Sequence, residues 1–371
     1  MLRKVSVTNF KNFKTKTAFI LDEPANYEFN DDIVKDGCIT KGIVYGINGS
    51  GKSNLALAVF DIVLHLTDKE RSYDKYSLYL NLDSNKPIAE FEYQFRFNGM
   101  DVIYSYGKKD AITLTYESLT IGDKEVLSYD FSRNEGYTTL EGAESLQLSS
   151  TFTTEVDRLS RVKYINNNAI LKDNAENRAF KSFTSFVENM LMFYSLDEKR
   201  YQGFSVGRDS YTQGIIRENK VLEFESFLRE QGVDYNLQVV DMNGVSELYC
   251  QFAKGRVPFV SVASTGTRSL ALFYYWYIRM SKASLVFIDE YDAFYHFELS
   301  QEIVKLVKTL QDTQIFMTTH NTDLISNELL RPDAYFQIKE NHIKSFDKII
   351  SKELRRAHNI QKMYKAGSFN E

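Results

Sequence analysis

The glycine-rich run at residues 46–53 carries the clearest chemistry in the sequence. It reads Gly-Ile-Asn-Gly-Ser-Gly-Lys-Ser and matches the spacing G-x-x-x-x-G-K-[ST] of phosphate-binding loops. Backbone N–H groups in such a loop converge on phosphate oxygens, and the following helix N-terminus also favours anions. We expect Lys52 to reach the β- and γ-phosphates and Ser53 to bind Mg²⁺. The alternative is a glycine turn with a capping serine. The residues predicted to contact nucleotide are Asn48, Gly49, Ser50, Gly51, Lys52, Ser53 and Asn54.

Two carboxylates, Asp289 and Glu290, follow the apolar run Leu285 to Ile288. An apolar strand that ends in two acidic residues is typical of a Walker B strand. Asp289 is predicted to hold Mg²⁺, and Glu290 to polarise the attacking water as a general base. This pattern alone is weak, because many strands end in acidic residues. The phosphate loop upstream makes the catalytic interpretation the favoured one.

A third apolar run, Ile315 to Thr319, ends at His320. We expect His320 to sense the γ-phosphate and to link it to the state of a dimer. The alternative is a surface histidine at the end of a strand. The predicted catalytic residues are therefore Lys52, Glu290 and His320.

The segment Ser264-Thr265-Gly266-Thr267 precedes an apolar helix and lies upstream of Asp289. A serine and a glycine at a helix N-terminus form a site for an anion, so Ser264 and Gly266 are predicted to contact nucleotide. The simpler interpretation is an N-cap for the helix over 268–281. Both can hold, since the cap and a phosphate use the same N–H groups.

The elements around these motifs predict an α/β fold. A buried strand over 42–46 enters the glycine loop, and a helix over 54–64 leaves it. Alternating apolar residues and the Asn98-Gly99 turn predict an antiparallel meander over 88–131. The pattern divides the chain into an N-terminal lobe with phosphate loop and β subdomain (1–149), a mostly helical insert (150–235), a C-terminal lobe (236–350) and a basic C-terminal helix (351–371).

Composition excludes several classes of protein. The chain has 371 residues, a net charge of −5 and 43% hydrophobic residues, which is typical of a globular protein and not of a polycation. Its 2 cysteines exclude a disulfide framework and favour a reducing compartment. No apolar run reaches membrane-spanning length, and the N-terminus lacks a signal-peptide pattern. We therefore expect a cytoplasmic protein without a membrane partner.

The motifs occur in the order phosphate loop, Ser264–Thr267, Asp-Glu and His320. This order resembles the ABC-type ATPases of the SMC, RecF and OLD-like branch. The start Asn9-Phe10-Lys11-Asn12-Phe13 is similar to the NFKSF start of that branch. The segment from Glu353 to Phe369 resembles the C-terminal tail of the AbiL/RloA-type AAA ATPases of bacterial anti-phage systems, which occur alongside the PARIS and Septu ATPase subunits. The resemblance implies an ABC-type P-loop ATPase head with a mixed sheet, an antiparallel β subdomain and a short helical insert.

This resemblance also implies ligands and partners. Two subunits of such ATPases enclose two ATP molecules with Mg²⁺, so it implies a homodimer or higher homo-oligomer in which Ser264 and Gly266 act in trans. Asp292 to His296 occupy the place of the D-loop. The implied function is that of an ATPase subunit that senses a phage trigger and controls a separate toxin or nuclease effector. About 50 residues follow His320, too few for a nuclease domain of the OLD kind, so the chain itself is not expected to cut DNA.

Two other functions remain open at this stage. One is a RecF-like DNA maintenance ATPase that clamps duplex DNA, and the other is a nucleotide-gated scaffold with negligible turnover. The basic tail fits a DNA or RNA phosphate contact, a solvated helix face or a docking helix for a partner. Its cations are Lys344, Lys348, Lys352, Arg355, Arg356, Lys362 and Lys365.

Overall fold

The computed structural model describes residues 1–69, 73–146, 148, 159–195, 200–202, 210–242, 244–293, 295, 297–350 and 352–369. The strands are β1 Leu2–Thr8, β2 Thr17–Ile20, β3 Val34–Lys35, β4 Cys38–Ile39, β5 Lys41–Tyr45, β6 Ala89–Phe97, β7 Met100–Lys108, β8 Leu114–Ile121, β9 Lys124–Asp130, β10 Glu135–Thr138, β11 Met190–Ser195, β12 Arg200–Gln202, β13 Leu237–Met242, β14 Val245–Phe252, β15 Gly255–Pro258, β16 Leu285–Ile288, β17 Gln314–Thr319, β18 Tyr335–Lys339 and β19 His342–Ser345. The helices are α1 Lys52–Leu66, α2 Arg161–Asn168, α3 Ala175–Glu188, α4 Tyr211–Arg217, α5 Val221–Glu230, α6 Phe259–Val262, α7 Thr265–Met280, α8 Phe297–Lys308, α9 Phe346–Ile349 and α10 Ile360–Lys365.

A mixed seven-stranded sheet positions the predicted site. Its order is β12-β11-β16-β17-β5-β18-β19, in which the five inner strands run parallel and the two edge strands are antiparallel. Strands β5, β16 and β17 are buried along their whole length, as expected for apolar strands covered on both faces. Their carboxyl ends meet at one edge of the sheet, where α/β proteins commonly bind ligands.

An antiparallel sheet forms the second layer, with the order β10-β9-β8-β7-β6-β1-β2. The predicted hairpin lies between β6 and β7, and both residues of its turn have positive φ, 53° at Asn98 and 80° at Gly99. The predicted meander and its place after the first helix are therefore confirmed.

Helix α1 follows the phosphate loop and is anchored to this antiparallel sheet through Asp61. The Asp61 carboxylate forms an ion pair of 2.7 Å with Lys108, and both side chains are fully buried. The hydroxyls of Tyr79 and Tyr106 also donate to Asp61. A buried charge is tolerated when it is paired and hydrogen-bonded, so this cluster fixes the helix whose N-terminus shapes the loop.

Helix α7 carries the Ser264 motif at its N-terminus. It packs against α4 and α5, and its Trp276 is fully buried beside Phe193 of β11. Tyr274 packs against the rings of Phe224 and Phe227 on α5, so this aromatic side chain belongs to the core.

The structure corrects two expectations about secondary structure. Strands β11 and β12 fall inside the range 150–235, for which the sequence predicts mostly helix, and β11 pairs in parallel with β16 in the central sheet. The predicted basic helix over 351–371 is longer than the structure shows, because α10 covers Ile360–Lys365 in the described part of this segment. The division into four parts stays a prediction. No helix in the described part of the chain is long and apolar enough to cross a membrane.

Candidate functional site

Lys52 lies at the first turn of α1 and points back into the glycine loop. Its ammonium donates to the carbonyl oxygens of Gly46 at 2.8 Å and Ile47 at 3.4 Å. It also lies 3.2 Å from Nδ1 of His320. Burial lowers the pKa of Lys52, and the carboxylates of Asp289 and Glu290 oppose this effect. The structure thus places a cation where phosphate oxygens would meet the loop.

Asp289 follows β16 and is buried at the same edge of the sheet. Its carboxylate accepts hydrogen bonds from the hydroxyls of Ser53 and Thr318, the latter at 2.6 Å from Oδ1. Burial raises the pKa of Asp289, whereas these two hydrogen bonds and the charge of Lys52 oppose that rise. The structure therefore joins Ser53 and Asp289, two oxygen ligands of the kind Mg²⁺ prefers.

Glu290 occupies a left-handed turn directly after Asp289, with φ of 50°. Its backbone N–H donates to Oγ1 of Thr318 at 2.8 Å. The side chain is 46% exposed, and Oε1 lies 3.7 Å from Nε2 of His320. A carboxylate held at the mouth of a cleft, and open to water, is placed to accept a proton.

His320 bridges the cation and the carboxylate of the site. An ammonium can only donate, so Nδ1 of His320 accepts from Lys52, and the proton of a neutral ring is then assigned to Nε2. Nε2 faces Glu290. Lys52, His320 and Glu290 therefore lie next to one another at the cleft, and their catalytic roles stay a prediction.

Asn12 is a residue of the site that the sequence motifs do not identify. Its amide Nδ2 contacts the carbonyl oxygen of Ser50 and Oδ1 of Asn341, both at 3.3 Å, and its Oδ1 accepts from Asn54 at 2.7 Å. Asn12 therefore braces the glycine loop from outside. Asn12 belongs to the NFKNF start, a motif that indicates the family resemblance but predicts no chemical role for this residue.

Gly51 provides a testable prediction about the loop. Its φ is 104°, and a Cβ built there would lie 2.3 Å from Nδ2 of Asn12. We expect Gly51→Ala to displace the loop and to reduce ATP affinity by roughly 10-fold or more, since left-handed strain costs about 1–3 kcal/mol. Gly99→Ala is the matched control, because Gly99 has φ of 80° with open space around it and lies in the distant hairpin. Nucleotide titration of both variants measures the difference, and equal affinities would contradict the role of Gly51.

The structure does not bring every predicted residue into the cleft. Ser264 caps α7, and its Oγ accepts from the backbone N–H of Thr267 at 3.1 Å, so the capping role is confirmed. In the described part of the chain, neither Ser264 nor Gly266 lines the cleft. Its lining residues are Asn48, Gly49, Gly51, Lys52, Ser53, Asn54, Glu290 and His320.

The segment predicted as the D-loop is described in part. The Asp292 carboxylate accepts from the Thr319 hydroxyl at 2.7 Å, while residues 294 and 296 lie outside the described residues. The D-loop role of this segment stays a prediction.

The residues of the cleft fit a nucleotide with Mg²⁺. A Cβ at Gly46 would lie 2.3 Å from Oγ of Ser50 and 3.1 Å from the carbonyl oxygen of Ile338, so a side chain there would force Ser50 to move. Mg²⁺ commonly binds one or two protein oxygens and keeps its other positions for water and substrate phosphates. The contact between Ser53 and Asp289 supplies such a pair.

Fold and site together define a P-loop ATPase, because the glycine loop, the Asp289-Glu290 pair and His320 follow three adjacent parallel strands, β5, β16 and β17. The chain belongs to the family described as AAA domain, putative AbiEii toxin, Type IV TA system, which matches residues 43–326. A relative in Helicobacter pylori (strain ATCC 700392 / 26695), named ATP/GTP phosphatase, is 26% identical over 359 residues. The match covers 88% of this chain and 86% of that protein.

Solved structures of SMC heads are loosely similar. An SMC head bound to the C-winged helix domain of ScpA gives a TM-score of 0.48 at 13% identity, covering 94% of this chain and 98% of that one. The SMC head domain from Thermotoga maritima gives 0.42 at 14% identity, covering 95% and 99%. The assignment of the fold therefore depends on the strand order and the family, not on these scores.

Proposed function

We propose that this protein binds ATP with Mg²⁺ and hydrolyses it, and that this cycle controls a separate toxin or nuclease in anti-phage defence. The observation that carries the ATPase proposal is the convergence of Lys52, Asp289, Glu290 and His320 at one sheet edge. The defence role is supported by the tail resemblance and by the family description, which names a toxin–antitoxin system.

The chemistry follows from what each side chain can do. Lys52 offsets the negative charge of the transferred phosphoryl group, and the loop N–H groups orient its oxygens. Glu290 orients the attacking water and accepts its proton. The Nε2–H group of His320 donates to the reacting phosphate. The position of His320, and of the strand β17 that precedes it, therefore depends on whether this phosphate is bound. Mg²⁺ held by Ser53 and Asp289 would supply further charge stabilisation.

A homodimer is part of this proposal. Ser264 and Gly266 lie outside the cleft of their own subunit, so a second copy would have to supply them to the nucleotide. Ser264 caps the N-terminus of α7, and both Ser264 and Thr265 are exposed, so the described part of the chain leaves them accessible for that contact. Cys38 and Cys250 are both buried free thiols, which supports the proposal of a reducing, cytoplasmic location.

Two measurements test the proposal. Phosphate release from Mg-ATP by the purified full chain tests hydrolysis, and an inactive, well-folded protein would contradict it. Affinity purification of the tagged chain, expressed from its native operon with a non-hydrolysable ATP analogue, followed by mass spectrometry tests the defence role. A toxin or nuclease in fixed ratio is the expected result. A chain that purifies alone, or with DNA that stimulates its ATPase, would instead favour the RecF-like function.

A further inference from the structure

Thr318 contacts all three residues of the turn that carries the catalytic carboxylates. It lies on β17, two residues before His320, and is fully buried. Its hydroxyl donates to Oδ1 of Asp289 at 2.6 Å and accepts from the backbone N–H of Glu290 at 2.8 Å. Its carbonyl oxygen accepts from the backbone N–H of Tyr291 at 3.2 Å.

These contacts have a direct effect on the orientation of both carboxylates. The hydrogen bond to Oδ1 restricts rotation of the Asp289 carboxylate, which also accepts a hydrogen bond from Ser53. The hydrogen bond from the Glu290 N–H holds a residue with φ of 50°, a conformation that non-glycine residues rarely adopt. One hydroxyl group therefore fixes the metal-binding carboxylate and the turn that aims the general base.

We propose that Thr318 is a positioning residue for ATP hydrolysis. Its hydroxyl holds Asp289 and Glu290 in a fixed position relative to β17, the strand that His320 follows. This inference rests on the proposed ATPase function. Thr318 is not among the residues that line the cleft, so it acts through the two carboxylates.

The neighbouring Thr319 supports a coupling role for this strand end. Its hydroxyl donates to Asp292 at 2.7 Å and accepts from the N–H of Asn321. Successive side chains of a strand point to opposite faces, so the two threonines hold opposite sides of the segment 289–292. A shift of His320 along β17 would thus move Glu290 and Asp292 together.

The deciding variants separate the effect of the Thr318 hydroxyl from the effect of its shape. Thr318→Val keeps the β-branched shape and removes both hydrogen bonds, and Thr318→Ser keeps the hydroxyl. Thr318→Cys retains a group that donates and accepts only weakly. Thr313→Val is the matched structural control, because the Thr313 hydroxyl is also buried but contacts the carbonyls of Met280 and Ala283, away from the cleft.

We expect Thr318→Val to lower kcat by roughly 10²-fold, the size of effect that a misplacement of about 1 Å produces. The Mg²⁺ concentration that gives half-maximal rate should rise, while binding of ATP without Mg²⁺ should not change. Thr318→Ser should recover most of the rate and the original Mg²⁺ dependence. Thr313→Val should lower the melting temperature without changing the Mg²⁺ dependence.

The outcomes separate this inference from the proposed function. A wild-type protein that does not hydrolyse ATP overturns the proposed function. An active wild type with a Thr318→Val variant of equal kcat and equal Mg²⁺ dependence overturns only the role of Thr318. If Thr318→Val does not fold, the order Thr and Ser above Cys in kcat supports the inference, and equal rates for all three overturn it.

Discussion

Replacing Lys52 by alanine should remove measurable ATP binding. The ammonium is the cation aimed into the glycine loop, where it contacts the carbonyl oxygens of Gly46 and Ile47. In a nucleotide complex these contacts would be exchanged for phosphate oxygens, and each charge-assisted hydrogen bond contributes about 1.5–3 kcal/mol. Two such bonds correspond to a loss in affinity of roughly 10²-fold or more. Titration with a fluorescent ATP analogue in the presence of Mg²⁺ measures this change.

A matched control tests whether the loss of a lysine charge elsewhere in the chain also lowers ATP affinity. Lys254 is an exposed lysine in the turn between β14 and β15, far along the chain from the glycine loop, and Lys254→Ala makes the same chemical change. Its affinity for the analogue should equal that of the unmodified chain. Thermal unfolding of both variants verifies that they fold. A folded Lys52→Ala protein with unchanged affinity would show that the nucleotide binds elsewhere.

Much of the site could be predicted from the sequence, because its motifs follow apolar strands whose boundaries are clear. The phosphate loop fixes Lys52 and Ser53, and the runs before Asp289 and His320 read as buried strands. Parallel strands bring their carboxyl ends to one edge, so the convergence of these residues follows from the fold class. The structure confirms this convergence through the contacts of Lys52 with His320 and of Ser53 with Asp289.

The residues that support the site were harder to predict. Asn12 reaches the loop across the fold, and its contact with Asn341 joins residues 329 positions apart. Thr318 follows an apolar run and resembles an ordinary strand residue. A hydrogen bond between distant segments leaves no periodic pattern in a sequence, so such partners become visible only when the fold has placed them.

Strand β11 was missed for a related reason. Its sequence, Met-Leu-Met-Phe-Tyr-Ser, is a short apolar run that directly follows the amphipathic helix α3. Short apolar runs of this length are ambiguous between a strand and a buried helical segment. Parallel pairing with β16 makes this segment a strand, and that pairing depends on residues 95 positions further along the chain. The charge pattern of the tail likewise predicts one helix. The Asn327 amide instead donates to the carbonyl oxygens of Arg355, Arg356 and His358 and holds that part in a non-helical form.

Replacing Glu290 by glutamine should stop hydrolysis while preserving ATP binding. Glutamine has nearly the shape of glutamate, but its amide cannot take a proton from the attacking water. General-base catalysis contributes about 10²–10⁴-fold, and the rate of phosphate release should fall by that order. The phosphate-binding groups Lys52 and Ser53 are unchanged, so affinity should stay within the range of the unmodified chain. Because the nucleotide then persists, we expect an ATP-bound dimer to accumulate, measured by light scattering after size-exclusion chromatography with Mg-ATP.

Glu298→Gln is the matched control for this variant. Glu298 is an exposed carboxylate in the first turn of α8 and does not line the cleft, so the same loss of charge there should leave turnover and assembly unchanged. A Glu290→Gln protein that hydrolyses ATP at the normal rate would require a different proton acceptor. A Glu290→Gln protein that binds ATP without hydrolysing it, but stays monomeric, would support Glu290 as the general base and contradict the proposed dimer. Phosphate release therefore tests the chemistry of the single chain, and light scattering tests its assembly. The two results are separate because only the dimer needs Ser264 of another copy.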